Sequence, residues 1–304
     1  MNDPDTPDTW ASQPLWAASG LDQQQLPRAL YVVATPIGNA ADLTLRALWV
    51  LRNADCIAAE DTRVTAPLLR RYGIRTRLTA FHRHNERGAG EQILTRLAQG
   101  ERIALVSDAG TPGVCDPGAV LVRAALAAGQ RVIPVPGASS LTAALSVAGL
   151  QASTVRLLGF LPTRVLARRH LLQEAAARNE GFALFEAPHR IARTAAELTS
   201  VLEPERRIVL MRELTKLFEA VVPTSAAGLL QAVQQQGERG EFVVVVDARV
   251  AADPEQAELD EIGRRWLRAL AEEMPAARAA AIAAKVTGVA RKAIYRSLLE
   301  PDQG

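Results

Sequence analysis

Five times between residues 29 and 150 the sequence repeats one pattern. A short apolar run rich in β-branched residues is followed by a polar or glycine-bearing break, then by a longer run with helical spacing. The apolar runs fall at 29–34, 56–59, 78–81, 102–106 and 131–135. Parallel neighbours need a crossover of about a dozen residues or more, usually a helix, so strict strand–helix alternation leaves the chain little choice. It predicts a mainly parallel sheet with helices on both faces.

The breaks are as informative as the strands. Thr35-Pro36-Ile37-Gly38-Asn39 follows the first strand and Glu60-Asp61-Thr62-Arg63 the second. Ser107 to Gly118 follows the fourth, and Pro136-Gly137-Ala138-Ser139-Ser140 the fifth. The segment from Ser107 to Gly118 packs three glycines, two prolines, two aspartates and two small hydroxyls into twelve residues. Reversing the chain takes only about two to six residues. Glycines there permit positive φ and close approach of backbone to a ligand, and prolines hold the loop's polar backbone groups in place. Open α/β sheets bind ligands at the carboxyl ends of their strands, so four such breaks on one edge predict a ligand cleft. No P-loop lysine follows Gly118 and no G-x-G-x-x-G run occurs, while Asp108 suits a cationic ligand better than a phosphate.

A second alternation covers about 153–249, with strands expected at 155–158, 182–185, 207–211, 218–222 and 242–246 and helices at 164–178, 191–202 and 226–234. Its strand ends are again polar, at 186–190 and 212–216, which places the expected site between two α/β domains. From residue 255 the pattern is purely helical, at 260–272, 276–287 and 291–299, with Pro275 suited to a first turn and Gly288 to a short break. This segment carries Arg264, Arg265, Arg268, Arg278, Lys285, Arg291, Lys292 and Arg296 against Glu272 and Glu273. Helices joined by a short glycine turn, with bases on the last, fit a helix-turn-helix that meets nucleic acid; an oligomerisation bundle fits too. Residues 1–27 hold four aspartates and no base, and read as a disordered acidic leader. The expected division is therefore leader 1–27, first α/β domain 28–150, second α/β domain 151–250 and a basic helical module 255–300.

Bulk composition narrows the class. Of 304 residues, 48% are hydrophobic and 22% charged, and the net charge is only +2, a globular balance with an ample core. Cys56 and Cys115 stand far apart and offer neither a disulfide framework nor metal-ligand spacing, so no metal is expected. No apolar run reaches the roughly 18 residues of a membrane span, and the N-terminus lacks a basic stretch followed by an apolar one. A cytoplasmic protein without membrane partners is expected.

The motifs YVVATPIGNAADLTLRAL, AEDTR, SDAGTPGVCDPG, PGASS, GFLP, EAPHR and RELTK occur in this order between Tyr31 and Lys216. Together they closely resemble the ribosomal RNA small-subunit methyltransferase I family, a branch of the tetrapyrrole-methylase superfamily. The match runs from about residue 30 to 300, and the C-terminal helices resemble that family's added helix-turn-helix, which implies that 255–300 is a helical RNA-binding module. SDAGTPG…DPG is the most specific element; where the family loop has serine this chain has Cys115. The resemblance implies S-adenosyl-L-methionine as methyl donor, held between the two α/β domains. It also implies 2′-O-methylation of a cytidine ribose in the decoding region of small-subunit (16S) ribosomal RNA, acting on the assembled 30S subunit, and a homodimer.

Methyl transfer from a sulfonium is an in-line displacement, in which positioning supplies much of the rate. On that logic Pro36, Ile37, Gly38, Asp108, Gly110, Thr111, Pro112, Val114, Ala138 and Ser139 line the first domain's half of the donor site. By resemblance Glu186, Ala187, Met211 and Phe242 line the second. The acceptor hydroxyl is a weak acid, so a base or a cation that stabilises the alkoxide should help. Glu60 or Asp61 is the candidate base and Arg63 or Lys216 the candidate cation; each also fits a helix cap or an ion pair. Two other functions stay open on sequence alone: methylation of a small tetrapyrrole acceptor, and a non-catalytic DNA-binding regulator that senses a ligand.

Overall fold

In the computed structural model, which describes residues 20, 21, 24–82, 85–249, 261–287 and 289–299, the first sheet holds five strands. These are β1 (Leu30–Val33), β2 (Cys56–Ala59), β3 (Leu78–Ala80), β4 (Ile103–Val106) and β5 (Val132–Val135), in the order β3-β2-β4-β1-β5. Every pairing is parallel. The crossovers are α1 (Leu45–Asn53), α2 (Thr62–Arg71), α3 (Glu86–Ala98) and α4 (Ala119–Ala127); α5 (Ser140–Ala148) leaves β5 for the second sheet. Side-chain alternation divides the core: Tyr31, Val33, Ile57, Ala104 and Val106 pack on one face, and Leu30, Ala58, Ile103 and Leu105 on the other. Leu26 joins the first of these clusters. The rest of the expected leader (residues 1–19, 22 and 23), the start of the helical module (255–260) and Gly288 lie outside the described residues.

The second sheet is mixed, in the order β6-β7-β10-β8-β9. Its strands are β6 (Val155–Phe160), β7 (Gly181–Glu186), β8 (Arg207–Arg212), β9 (Ala220–Ser225) and β10 (Phe242–Val246). Only β6 and β7 run parallel; β10 is antiparallel to both its neighbours, and β9 to β8. Three helices, α6 (Val165–Ala177), α7 (Ile191–Val201) and α8 (Leu229–Gln236), belong to this half, and one face of the sheet carries Phe182, Leu184, Ile208, Leu210, Phe242 and Val244 in their cluster. The other face carries Ala183, Val209, Met211, Val243 and Val245 against Ile37, Ala144 and Ala148. A single apolar cluster thus joins the two sheets through α5. The strand expected at 218–222 begins two residues later, because its pairing with β8 starts at Arg212↔Ala220. The helix expected from 226 begins at Leu229, since Ala226 and Gly228 are held in a turn by Arg206 O and Ser225 O.

Residues from 249 onward form a separate unit. It contains α9 (Glu261–Glu273), α10 (Ala276–Thr287) and α11 (Arg291–Leu299). Leu267, Ala279, Ala280, Ala283, Val289 and Ile294 make its own small core. Among the described residues no helix is long and apolar enough to cross a membrane.

Candidate active site

β1 and β4 are neighbours although β2 and β3 separate them in sequence, so the loops leaving them emerge side by side. These loops are welded. Thr35 N–H donates to Gly110 O at 2.9 Å, Gly110 N–H returns the bond to Thr35 O at 3.0 Å, and the buried Thr35 hydroxyl donates to Ser107 O at 3.1 Å. Gly110 makes the turn at φ 77°, where a side chain would be strained. Thr111 Oγ1 then donates to Ala138 O at 3.3 Å, tying in the loop after β5. Reversal of strand order at such a point is where doubly wound sheets open a ligand crevice.

A cavity of about 470 Å³ opens there, between these loops and the second sheet, a volume suited to a small molecule. Ile37, Val114, Phe160, Phe185, Leu214 and Val243 give it apolar walls. Among the described residues its charged lining is entirely acidic, from Glu60, Asp108, Asp116, Glu186 and Glu241, with no lysine, arginine or histidine. Desolvation pushes the Asp108 carboxyl up, and Asp108 Oδ1 accepts the Asp61 N–H at 2.9 Å. Glu186 is fully buried; it accepts from Thr194 Oγ1 at 2.7 Å and from Ala187 N–H at 2.9 Å, and pairs with Arg190 Nε at 3.1 Å. The rings of Phe160 and Phe185 meet at 5.7 Å between centroids, tilted by 57°.

Of the expected donor-site residues, Ile37, Asp108, Gly110, Thr111, Val114, Ser139, Glu186, Ala187 and Phe242 line this cavity. Pro36, Gly38, Pro112, Ala138 and Met211 do not. Met211 is fully buried in the core between the sheets. Gly38 is a packing point: a Cβ there would run into the Lys216 side chain and stand 2.8 Å from Thr215 Oγ1. Sequence reasoning passed over Phe160, Phe185, Leu214 and Glu241, which also line the cavity. For Phe160 the available signal was an aromatic directly after a strand glycine, within the GFLP motif.

Among the four expected catalytic residues only Glu60 lines the cavity. Asp61 caps α2, accepting the Arg63 N–H at 2.8 Å, and its carboxylate pairs with the Arg63 guanidinium at 2.6 Å. The Arg63 hydrogen bonds hold the Asp61 pKa down at about 2. Lys216 lies between Glu213 (2.8 Å) and Glu241 (3.0 Å). Glu213 and Thr215, in the turn that leads to it, stand at φ 52° and 65°, an uncommon conformation for residues other than glycine.

Comparison with known proteins follows the same lines as the geometry. The family of tetrapyrrole (corrin/porphyrin) methylases matches residues 29–230, and the RsmI C-terminal HTH domain matches 256–302. Ribosomal RNA small subunit methyltransferase I of Xylella fastidiosa is 48% identical over 271 residues, which are 88% of this chain and 98% of that one. Its counterpart from Neisseria meningitidis serogroup B is 46% identical over 268 residues, 88% of this chain and 91% of the relative. The chain belongs to the ribosomal RNA small subunit methyltransferase I family. Membership makes it a methyltransferase with the tetrapyrrole-methylase fold and an added helix-turn-helix. Among solved structures, a cobalt precorrin-4 methyltransferase shares the fold at a TM-score of 0.56 and 19% identity, over 72% of this chain and 95% of that one.

Proposed function

We propose that the chain transfers the methyl group of S-adenosyl-L-methionine to the ribose 2′-hydroxyl of a cytidine in the decoding region of 16S ribosomal RNA. The observation that carries this reading is the cavity's charge: among the described residues it has five carboxylates and no base around apolar walls, on a loop pair locked by backbone hydrogen bonds. Such a lining repels phosphate and suits a ligand that carries a sulfonium and an ammonium. Bound there, S-adenosylmethionine supplies a methyl group activated by positive sulfur.

Asp108 and Asp116 supply the negative field, and Ile37, Val114, Phe160 and Leu214 exclude water. Ser139 and the Thr111 N–H offer polar contacts that fix orientation, Gly110 lets the loop backbone approach closely, and Ala187 and Phe242 close the opposite wall. Pro36, Gly38, Pro112, Ala138 and Met211 support the site from behind its surface. We place the base function on Glu60, which takes the 2′-hydroxyl proton as the new C–O bond forms. Asp61 is a poor base at its depressed pKa, and Arg63 and Lys216 are neutralised by their own carboxylates. The exposed bases of the helical module favour a nucleic-acid acceptor, and a basic module of this kind suits the large folded surface of the 30S subunit. Leu217 and Phe218, 90% and 68% exposed, supply apolar surface for a homodimer. The site of action is the cytoplasm, where small subunits assemble.

The test is transfer of labelled methyl from S-adenosylmethionine to small subunits that lack the modification. Label at a cytidine 2′-oxygen is expected. Glu60→Gln should lower turnover at saturating donor by about 100-fold or more, whereas Asp61→Asn should keep turnover. Absence of label in both subunits and free 16S RNA would overturn the reading.

A further inference from the structure

The edge of the first sheet opposite the cavity has the reverse chemistry. It is built from five segments that enter the strands or end the helices: 26–29, 50–55, 68–77, 95–102 and 124–131. They contain nine arginines (Arg28, Arg52, Arg70, Arg71, Arg75, Arg77, Arg96, Arg102 and Arg131) and no lysine. Only two acids accompany them, and both are already engaged: Asp55 with Arg102 at 2.6 Å, and Glu101 with Arg96 at 2.5 Å. Arg28, Arg70, Arg71, Arg75, Arg77 and Arg131 are exposed, and among the described residues none of them is ion-paired.

Topology lines these side chains up. Arg77, Arg102 and Arg131 stand one residue before β3, β4 and β5, and Arg28 two residues before β1. In the sheet order β3-β2-β4-β1-β5 they form a row whose steps are the strand spacing of about 4.8 Å, or twice that across β2. Arg52, Gly73, Arg75 and Thr76 line a surface depression at one end of the row. Near the other end, Arg102 and Arg131 both act on the Tyr31 hydroxyl, opposing the upward push that burial gives it. The dipole at helix C-termini accounts for the arginines in the last turns of α1, α2 and α3. It does not account for Arg28, Arg75, Arg77, Arg102 or Arg131, which lie outside the helices.

We propose that this arginine edge is a second RNA-binding surface, which grips the phosphodiester backbone of the ribosomal RNA acceptor on the side of the sheet away from the cavity. The guanidinium is the side chain of choice for phosphate because its planar fork donates two parallel hydrogen bonds. The inference rests on the RNA-methylating reading above. It adds that an acceptor engaging both edges must reach past the sheet, since four-residue strands alone separate them by about 13 Å.

The test compares wild type with the variant Arg28→Gln/Arg75→Gln/Arg77→Gln/Arg131→Gln. Readouts are binding of 16S RNA and of small subunits as a function of salt, KM and kcat for subunit methylation, donor affinity, and the melting temperature. Each phosphate contact contributes about 0.7–0.9 to the slope of log K against log salt, so four losses lower it by about three. Between 50 and 200 mM salt the wild type should then lose roughly 60-fold more affinity than the variant. The subunit KM should rise at least tenfold, with kcat and donor affinity kept. The four-lysine variant retains the charges and should recover most of the slope. If wild type methylates subunits and the glutamine variant matches its slope and KM, the arginine edge is not an RNA surface. If wild type neither binds nor methylates them, the functional reading itself fails.

Discussion

Replacing Arg168 by alanine probes how the outer wall of the cavity is held. Arg168 is 1% exposed on α6 and makes four hydrogen bonds. Two of 2.6 Å go to the Glu197 carboxylate on α7, and two of 3.0 and 3.1 Å go to the carbonyls of Thr163 and Pro162. Those carbonyls belong to the turn that leaves Phe160, and Arg190 holds the same turn through Leu161 O at 2.7 Å. Alanine leaves a nearly buried carboxylate without its partner, a change that costs about 3–5 kcal/mol. At about 2–4 °C per kcal/mol for a protein of this size, the melting temperature should fall by roughly 10 °C. Donor affinity should fall with it, because Phe160 loses its anchored turn.

Acid supplies an independent check. Arg168 holds the Glu197 carboxyl below its ordinary 4.5, so the pair's contribution is present above that pH and is lost as pH falls through the lower folded value. The stability difference between wild type and Arg168→Ala should therefore narrow below pH 4.5. Arg168→Met/Glu197→Leu removes both charges and should recover much of the loss. Thermal melts by circular dichroism and donor titration by calorimetry give all three numbers. A melting temperature for Arg168→Ala within about 2 °C of wild type would refute the reasoning.

Gly38→Ala should destabilise by about 1–3 kcal/mol, because the new methyl group must displace Lys216 and Thr215; chemical unfolding measures it, and an unchanged midpoint would mean the 213–216 loop yields freely. Asp108→Asn should weaken donor binding about tenfold, or 1.4 kcal/mol. Since burial raises the Asp108 pKa, wild-type donor affinity should begin to fall at a pH above the ordinary carboxylate value of 3.8, as the proton removes the charge, and calorimetry across acid pH should find Asp108→Asn lacking that limb.

Local sequence alone determined the strand–helix alternation and hence the parallel first sheet. It also determined β10 at Phe242–Val246 and the last two helices at Ala276–Thr287 and Arg291–Leu299, because hydrophobic period, proline and glycine act within a few residues. The loop Ser107–Gly118, which lines the cavity, was legible as more than a chain reversal for the same reason: its glycines and prolines serve no shorter turn. Tertiary structure decided which of the marked residues line the cavity. Met211 sits on a strand whose parity could be read, but its side chain is fully buried in the core between the sheets, while Val243 on the same face reaches the cavity. Lys216 could be a catalytic cation or an ion-pair partner on sequence alone; the fold brings Glu241, 25 positions away, to 3.0 Å and makes it the latter. Asp108 and the Asp61 N–H meet across 47 positions. Phe160 reaches the cavity through a strand irregularity between Leu157 and Gly159 that periodicity does not announce. The arginine edge is of the same kind, five ordinary-looking segments that only the strand order places in one row. Charge neutralisation and cavity lining are through-space properties, and the distances that set them exist only once the chain is folded.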